Sequence, residues 1–137
     1  MIVYEPGAAG RAALLHAHSL AVDESAQLTV IAIASRERTD VGCGSCRQGA
    51  MFRNELACEC ATDALGEARE LISSASPAVK VGYALVRGTF RRAVVQAARD
   101  HDAGVIVLPA RRRFSRDRAR MLDGRTPASV VVSPRSG

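Results

Sequence analysis

Short apolar runs that alternate with helix-period stripes limit what this chain can fold into more than any other feature. Residues 1–4, "MIVY", form an apolar run cut off by Glu5, Pro6 and Gly7, as a buried strand ending in a turn would be. Ala13, Leu14, Ala17, Leu20 and Ala21 then recur at helical spacing, predicting a helix to about Val22. The run "AQLTVIAIAS" is almost unbroken in its apolar character, which suits a strand covered on both faces, as in a parallel sheet. Residues 36–53 are polar and glycine-bearing and read as a loop. A second helix is expected from about Asn54, with Ala57, Ala61, Ala64, Ala68 and Leu71 as its stripe and an end near Ser76 and Pro77. "VKVGYALVRG" reads as a third strand. Thr89 is placed to cap a third helix whose inner face is Phe90, Ala93, Val94, Ala97 and Ala98. "GVIVLP" is a fourth strand, residues 111–120 a short basic helix, and "ASVVVSP" a fifth strand closed by Pro134. Strands separated by helices of this length require right-handed crossovers. The expectation is an α/β domain over residues 1–137: a five-stranded, parallel, doubly wound, Rossmann-like sheet with helices on both faces.

A domain of this size buries roughly two-thirds of the surface its unfolded chain exposes and needs no disulfide to hold it together. The first residues carry no secretion signal, and no apolar run approaches the roughly 20 residues needed to span a bilayer. The expectation is a cytoplasmic protein with no membrane association. In that reducing setting, clustered cysteines point to metal or redox chemistry before structural disulfides. The net charge of +5 comes almost wholly from arginine and could draw in a small anionic ligand. With two tyrosines and three phenylalanines there is little to stack unpaired bases, which argues against nucleic acid as a partner.

All four cysteines fall within residues 41–60, "VGCGSCRQGAMFRNELACEC". Cys43 and Cys46 have the two-residue spacing of a zinc knuckle, and Cys58 and Cys60 could complete a tetrahedral four-thiolate zinc site. Its weak point is the second pair, because residues two apart on a continuous helix point about 200 degrees away from each other. Cys60 also lies in register with the apolar stripe, where a structural cysteine belongs. A redox dithiol at Cys43 and Cys46 is the third reading, although on the expected boundaries the pair does not open a helix that would lower a thiol pKa. His16 and His18 are two apart on one helix, so at most one faces the core, and His101 is placed to end the third helix. No triad, P-loop or zinc-protease pattern is present, so no catalytic residue is assigned and an enzyme is not expected.

Taken in order, "LTVIAIAS", "VKVGYALVRGTFRRAVVQAARDHDAGVIVLP" and "PASVVVSP" resemble the universal stress protein family across nearly the whole chain apart from residues 36–60, which read as a cysteine-containing insertion. The resemblance implies a binding or regulatory module. In members that bind ATP it implies an adenine seat between an aspartate ending strand one and a valine late in strand two, positions held here by Glu5 and Ile33. Glu5 can still accept a hydrogen bond from an exocyclic amine, but it is one methylene longer. The family's phosphate-loop glycines are replaced by Pro109, which has no N–H, and Arg112; Gly124 is followed by Arg125. ATP or AMP binding is therefore expected to be weak. Arg111, Arg112 and Arg113 directly follow strand four, at the edge where parallel sheets bind ligands, and offer a substitute anion site. A solvated helix with an Arg113–Asp117 ion pair is the other reading of that stretch. The resemblance also implies a homodimer through the final strand, whose valine-rich run carries no charge before Pro134 and makes an unprotected edge.

Overall fold

A computed structural model describes residues 1–75, 77–111 and 115–134. The elements are β1 (Ile2–Val3), α1 (Ala8–Asp23), β2 (Leu28–Ala34), α2 (Gly44–Ser73), β3 (Val81–Arg87), α3 (Phe90–Asp100), β4 (Val105–Leu108), α4 (Ser115–Leu122) and β5 (Ser129–Val132). The five strands form one sheet in the order β3-β2-β1-β4-β5, and every pairing is parallel. Ile2 sits at the centre, beside Val30 on one side and Val107 on the other. Among the described residues, no helix is long and apolar enough to cross a membrane.

Alternation along the strands builds two cores. Ile2, Tyr4, Val30, Ala32 and Val107 face Ala13, Leu14 and Ala17 of α1 and Ala61, Ala64 and Ala68 of α2. Val3, Ile31, Ile106 and Leu108 face Val94, Ala97 and Ala98 of α3 and Leu122 of α4. Both faces are thus covered, which explains why the central strands are apolar at consecutive positions. Leu14, Ile31, Ile106, Leu108 and Leu122 are all essentially excluded from solvent, each contributing roughly 1.5–3 kcal/mol of burial. Of the two histidines on α1, His18 is the buried one, and its ring nitrogen Nε2 lies 2.9 Å from the Pro77 carbonyl. Thr89 and His101 stand at the ends of α3 as expected, but Thr89 makes no side-chain cap hydrogen bond.

The expected start of α2 needs correction. The helix begins at Gly44, ten residues before Asn54, and takes in most of the segment read as a loop. Gly44, Ser45 and Gly49 hide it by lowering helix propensity, and of the residues before Asn54 only Ala50 is buried, so no apolar stripe marks the extension. The remaining loop is fastened to it. Arg53 makes two 2.7 Å bonds to the Glu37 carboxylate, and the Asn54 amide bonds the Glu37 backbone at both its N–H and its carbonyl.

Candidate functional site

β1 and β2 end beside one another, and their carboxyl ends open into a crevice of about 370 Å³. Tyr4, Glu5, Ile33, Gly88, Phe90 and Arg118 are among the residues that line it. Glu5 lies just past the end of β1, where α1 approaches so closely that a Cβ on Gly10 would overlap the Glu5 carbonyl oxygen. That position accepts only glycine, and the contact fixes the backbone from which Glu5 projects.

The Glu5 carboxylate is held by two arginines. Arg118 Nη1 donates to Oε1 at 2.6 Å, and Arg111 Nη2 lies 2.6 Å from Oε2. The second contact is an ion pair by distance without hydrogen-bond alignment, so among the described residues Oε2 has no well-formed donor although it is buried. Arg118 also lies over the Phe90 ring, 4.5 Å from its centroid, an arrangement in which the ring's electron-rich face attracts the cation. Arg111 is held through its backbone, since the buried Ser115 hydroxyl accepts from the Arg111 N–H and donates to its carbonyl. Two cations facing one carboxylate leave a net positive charge at the crevice.

The structure therefore brings together three of the predicted site residues, Glu5, Ile33 and Arg111, while Arg112 and Arg113 lie outside the described residues. The expected pairing of Arg113 with Asp117 lies outside them too. Sequence reasoning missed Arg118 and Phe90 as site residues. A signal for Arg118 existed: Ser115, Arg118, Ala119 and Leu122 share one face of α4, and all are at least partly buried. Among the described residues, the hydroxyl of Tyr4, which lines the crevice, is buried without a hydrogen bond of full geometry. Burial, reinforced by the nearby Glu67 carboxylate, pushes its pKa up to about 12.

The cysteines do not form the four-thiolate zinc site. Cys43 and Cys46 sit together at the start of α2, whereas Cys58 lies twelve residues further along the same helix, about 18 Å by helix rise. Cys60 continues in that direction and lines the crevice. Among the described residues, no three or more His, Cys, Asp or Glu side chains are grouped so as to hold a metal ion. The Cys43 and Cys46 sulfurs are 3.1 Å apart, and both residues are exposed. The Cys43 thiol is pulled below its ordinary pKa, first by the Cys46 side chain and then by backbone N–H groups of the helix start.

No family model matches the chain, and neither does any curated protein. Solved structures do. Universal stress protein UspA from Lactobacillus plantarum superposes with a TM-score of 0.72 at 17% identity, covering 97% of this chain and 96% of that one. A universal stress protein in complex with cAMP gives a TM-score of 0.63 at 18% identity over 98% and 96% of the two chains. A universal stress protein family protein from Arabidopsis thaliana with AMP bound gives 0.56 at 9% identity over 93% and 78%. With the parallel five-stranded sheet and its two helical layers, these superpositions show that the chain has the universal stress protein fold.

Proposed function

We propose that this chain is a non-enzymatic binding module whose crevice takes an adenine nucleotide with a short phosphate group. The observation that carries this reading is the Glu5–Arg111–Arg118 cluster, which puts excess positive charge at the carboxyl edge of a parallel sheet. Two structures with the same fold contain cAMP and AMP, which supports the same ligand class here. A crevice of about 370 Å³ lies at the small end of ligand cavities. Phosphate oxygens compete with Glu5 for the two guanidinium groups, and the released carboxylate can then accept a hydrogen bond from the exocyclic amine of adenine. Pro109 offers no backbone N–H to a longer phosphate chain, so ATP binds less well than AMP. Calorimetric titration with AMP, cyclic AMP and ATP tests this. The expected result is binding of the monophosphates, weaker binding of ATP, and loss of both in Arg118→Gln. Absence of heat and of copurified nucleotide for all three would overturn it, as would ATP binding more tightly than AMP.

The module is further proposed to act as a cytoplasmic homodimer paired through β5. That strand is one edge of the sheet, and Val130, Val131 and Val132 are only partly covered. Antiparallel pairing with a second copy would satisfy its open backbone groups in an isologous contact.

A further inference from the structure

The crevice leaves the exposed start of α2 unexplained, and its chemistry is independent of any nucleotide. Cys43 is the N-cap residue of α2 in extended backbone geometry, and Cys46 occupies the third helical position. This places two sulfurs within 3.1 Å of each other, both open to solvent, at the positive end of a 30-residue helix. The turn is shaped to hold them there. Gly42 has φ of +98°, and a Cβ on it would crowd the Cys46 Cβ at 3.2 Å. The incoming loop is fixed to the helix by Arg53 and Asn54 through Glu37.

We propose that Cys43 and Cys46 form a thiol–disulfide exchange site whose co-reactant is a small-molecule disulfide of the glutathione type. Cys43 is the attacking group, because the Cys46 side chain and helix N–H groups face its sulfur and its pKa is lowered. The Cys43 thiolate attacks one sulfur of R–S–S–R, forming a Cys43–S–S–R mixed disulfide and expelling RS⁻, which takes up a proton. The Cys46 thiol then loses its proton to solvent and attacks Cys43 Sγ. The bond to SR breaks, the second RS⁻ leaves and is protonated, and a Cys43–Cys46 disulfide forms. Two protein thiols are oxidised by two electrons, and one external disulfide is reduced to two thiols. With a reduced pool of the same thiol in excess, the sequence runs backwards.

Tryptic mapping separates this pair from the others. Cleavage after Arg38 and Arg47 yields residues 39–47 with Cys43 and Cys46, whereas Cys58 and Cys60 fall in residues 54–69. The full chain is equilibrated in mixtures of reduced and oxidised glutathione, trapped with a maleimide and digested. As the oxidised fraction rises, peptide 39–47 should pass from doubly alkylated to internally bridged, two hydrogens lighter than its free dithiol form, while peptide 54–69 remains alkylated. Cys46→Ser should stop at a glutathione adduct on Cys43 that dithiothreitol removes. Cys43→Ser, which puts a favoured N-cap residue at the helix start, should form the adduct at Cys46 about tenfold more slowly. Thermal unfolding of both variants verifies that each is folded. Overturning results are a peptide 39–47 that stays doubly alkylated in fully oxidised glutathione, or one that oxidises at no lower an oxidised fraction than peptide 54–69.

Discussion

Arg118 and Glu5 are 113 residues apart in sequence, yet their side chains meet at 2.6 Å across the mouth of the crevice. The carboxylate is one-fifth exposed and the guanidinium about one-quarter, so the pair is only partly screened by water. Arg118→Gln should cost about 1–2 kcal/mol, because it leaves Glu5 with one cation and uncovers Phe90. Glu5→Gln should act in the opposite sense on anion binding by freeing both guanidinium groups. Sulfate should then raise the melting temperature of Glu5→Gln more than that of the parent, and that of an Arg111→Gln/Arg118→Gln double variant hardly at all. Equal sulfate shifts in all three proteins would remove the anion site.

Gly10→Ala should be among the more damaging single changes at the site. The new methyl overlaps the Glu5 carbonyl, a backbone group that can yield only if α1 or the end of β1 moves. A loss of about 2–3 kcal/mol is expected in urea unfolding. Any AMP affinity should fall along with stability, since Glu5 moves with its backbone. A Gly10→Ala variant as stable as the parent would mean that α1 and β1 pack less tightly than described.

Tyr4 supplies a pH signature. Its pKa rises from 10.0 in the unfolded chain to about 12 in the fold. Between these values the unfolded state loses its proton first, so the folded state binds more protons and stability falls as pH rises. Tyr4→Phe removes that contribution. At neutral pH the substitution should be tolerated within about 1 kcal/mol, because the hydroxyl lost has no well-formed partner among the described residues. The gap between parent and variant should shift in favour of Tyr4→Phe from pH 10 to 12. Parallel unfolding curves over that range would show that Tyr4 titrates normally.

Val131→Lys tests the dimer. Val131 lies mid-strand on β5, paired with Val107 of β4, and among the described residues its other side is the sheet edge. A lysine there should drive sedimentation to the monomer while far-ultraviolet circular dichroism stays unchanged. A parent protein that is monomeric at high micromolar concentration would dispose of the interface altogether.

Much of this fold can be read locally. Leu28–Ala34 and Val105–Leu108 are strands because they are apolar at consecutive positions, and the stripes at Ala13, Leu14 and Ala17 and at Ala61, Ala64 and Ala68 are the buried faces of α1 and α2. The first turns of α2 cannot be read this way, since they bury almost nothing and contain two glycines. The same silence conceals the setting of the cysteine pair, which on the expected boundaries lacks a helix start and in fact stands on one. Arg111 is identifiable because it follows the end of a strand, and Glu5 because the family resemblance implies an acidic residue at the end of strand one. Their mutual contact and that with Arg118 are not, because a charged residue declares no partner until topology closes the distance. Ser115 is a further case: its value lies in holding the Arg111 backbone, which no pattern of residue types reveals.

The central place of β1 has a consequence for how the chain acquires its structure. Ile2 and Val3 are made before any other part of the sheet, but their flank toward β4 stays open until residues as late as Val107 have been synthesised. β1, β2 and β3 can zip together once Arg87 is available, with α1 and α2 laid against one side. The opposite side remains bare apolar surface until α3, β4 and α4 arrive. Such late, long-range closure makes folding slow and leaves a half-built sheet exposed to self-association. Yield on refolding should therefore fall with protein concentration, and a chain released before β4 should be captured by chaperones as an open-edged three-stranded intermediate.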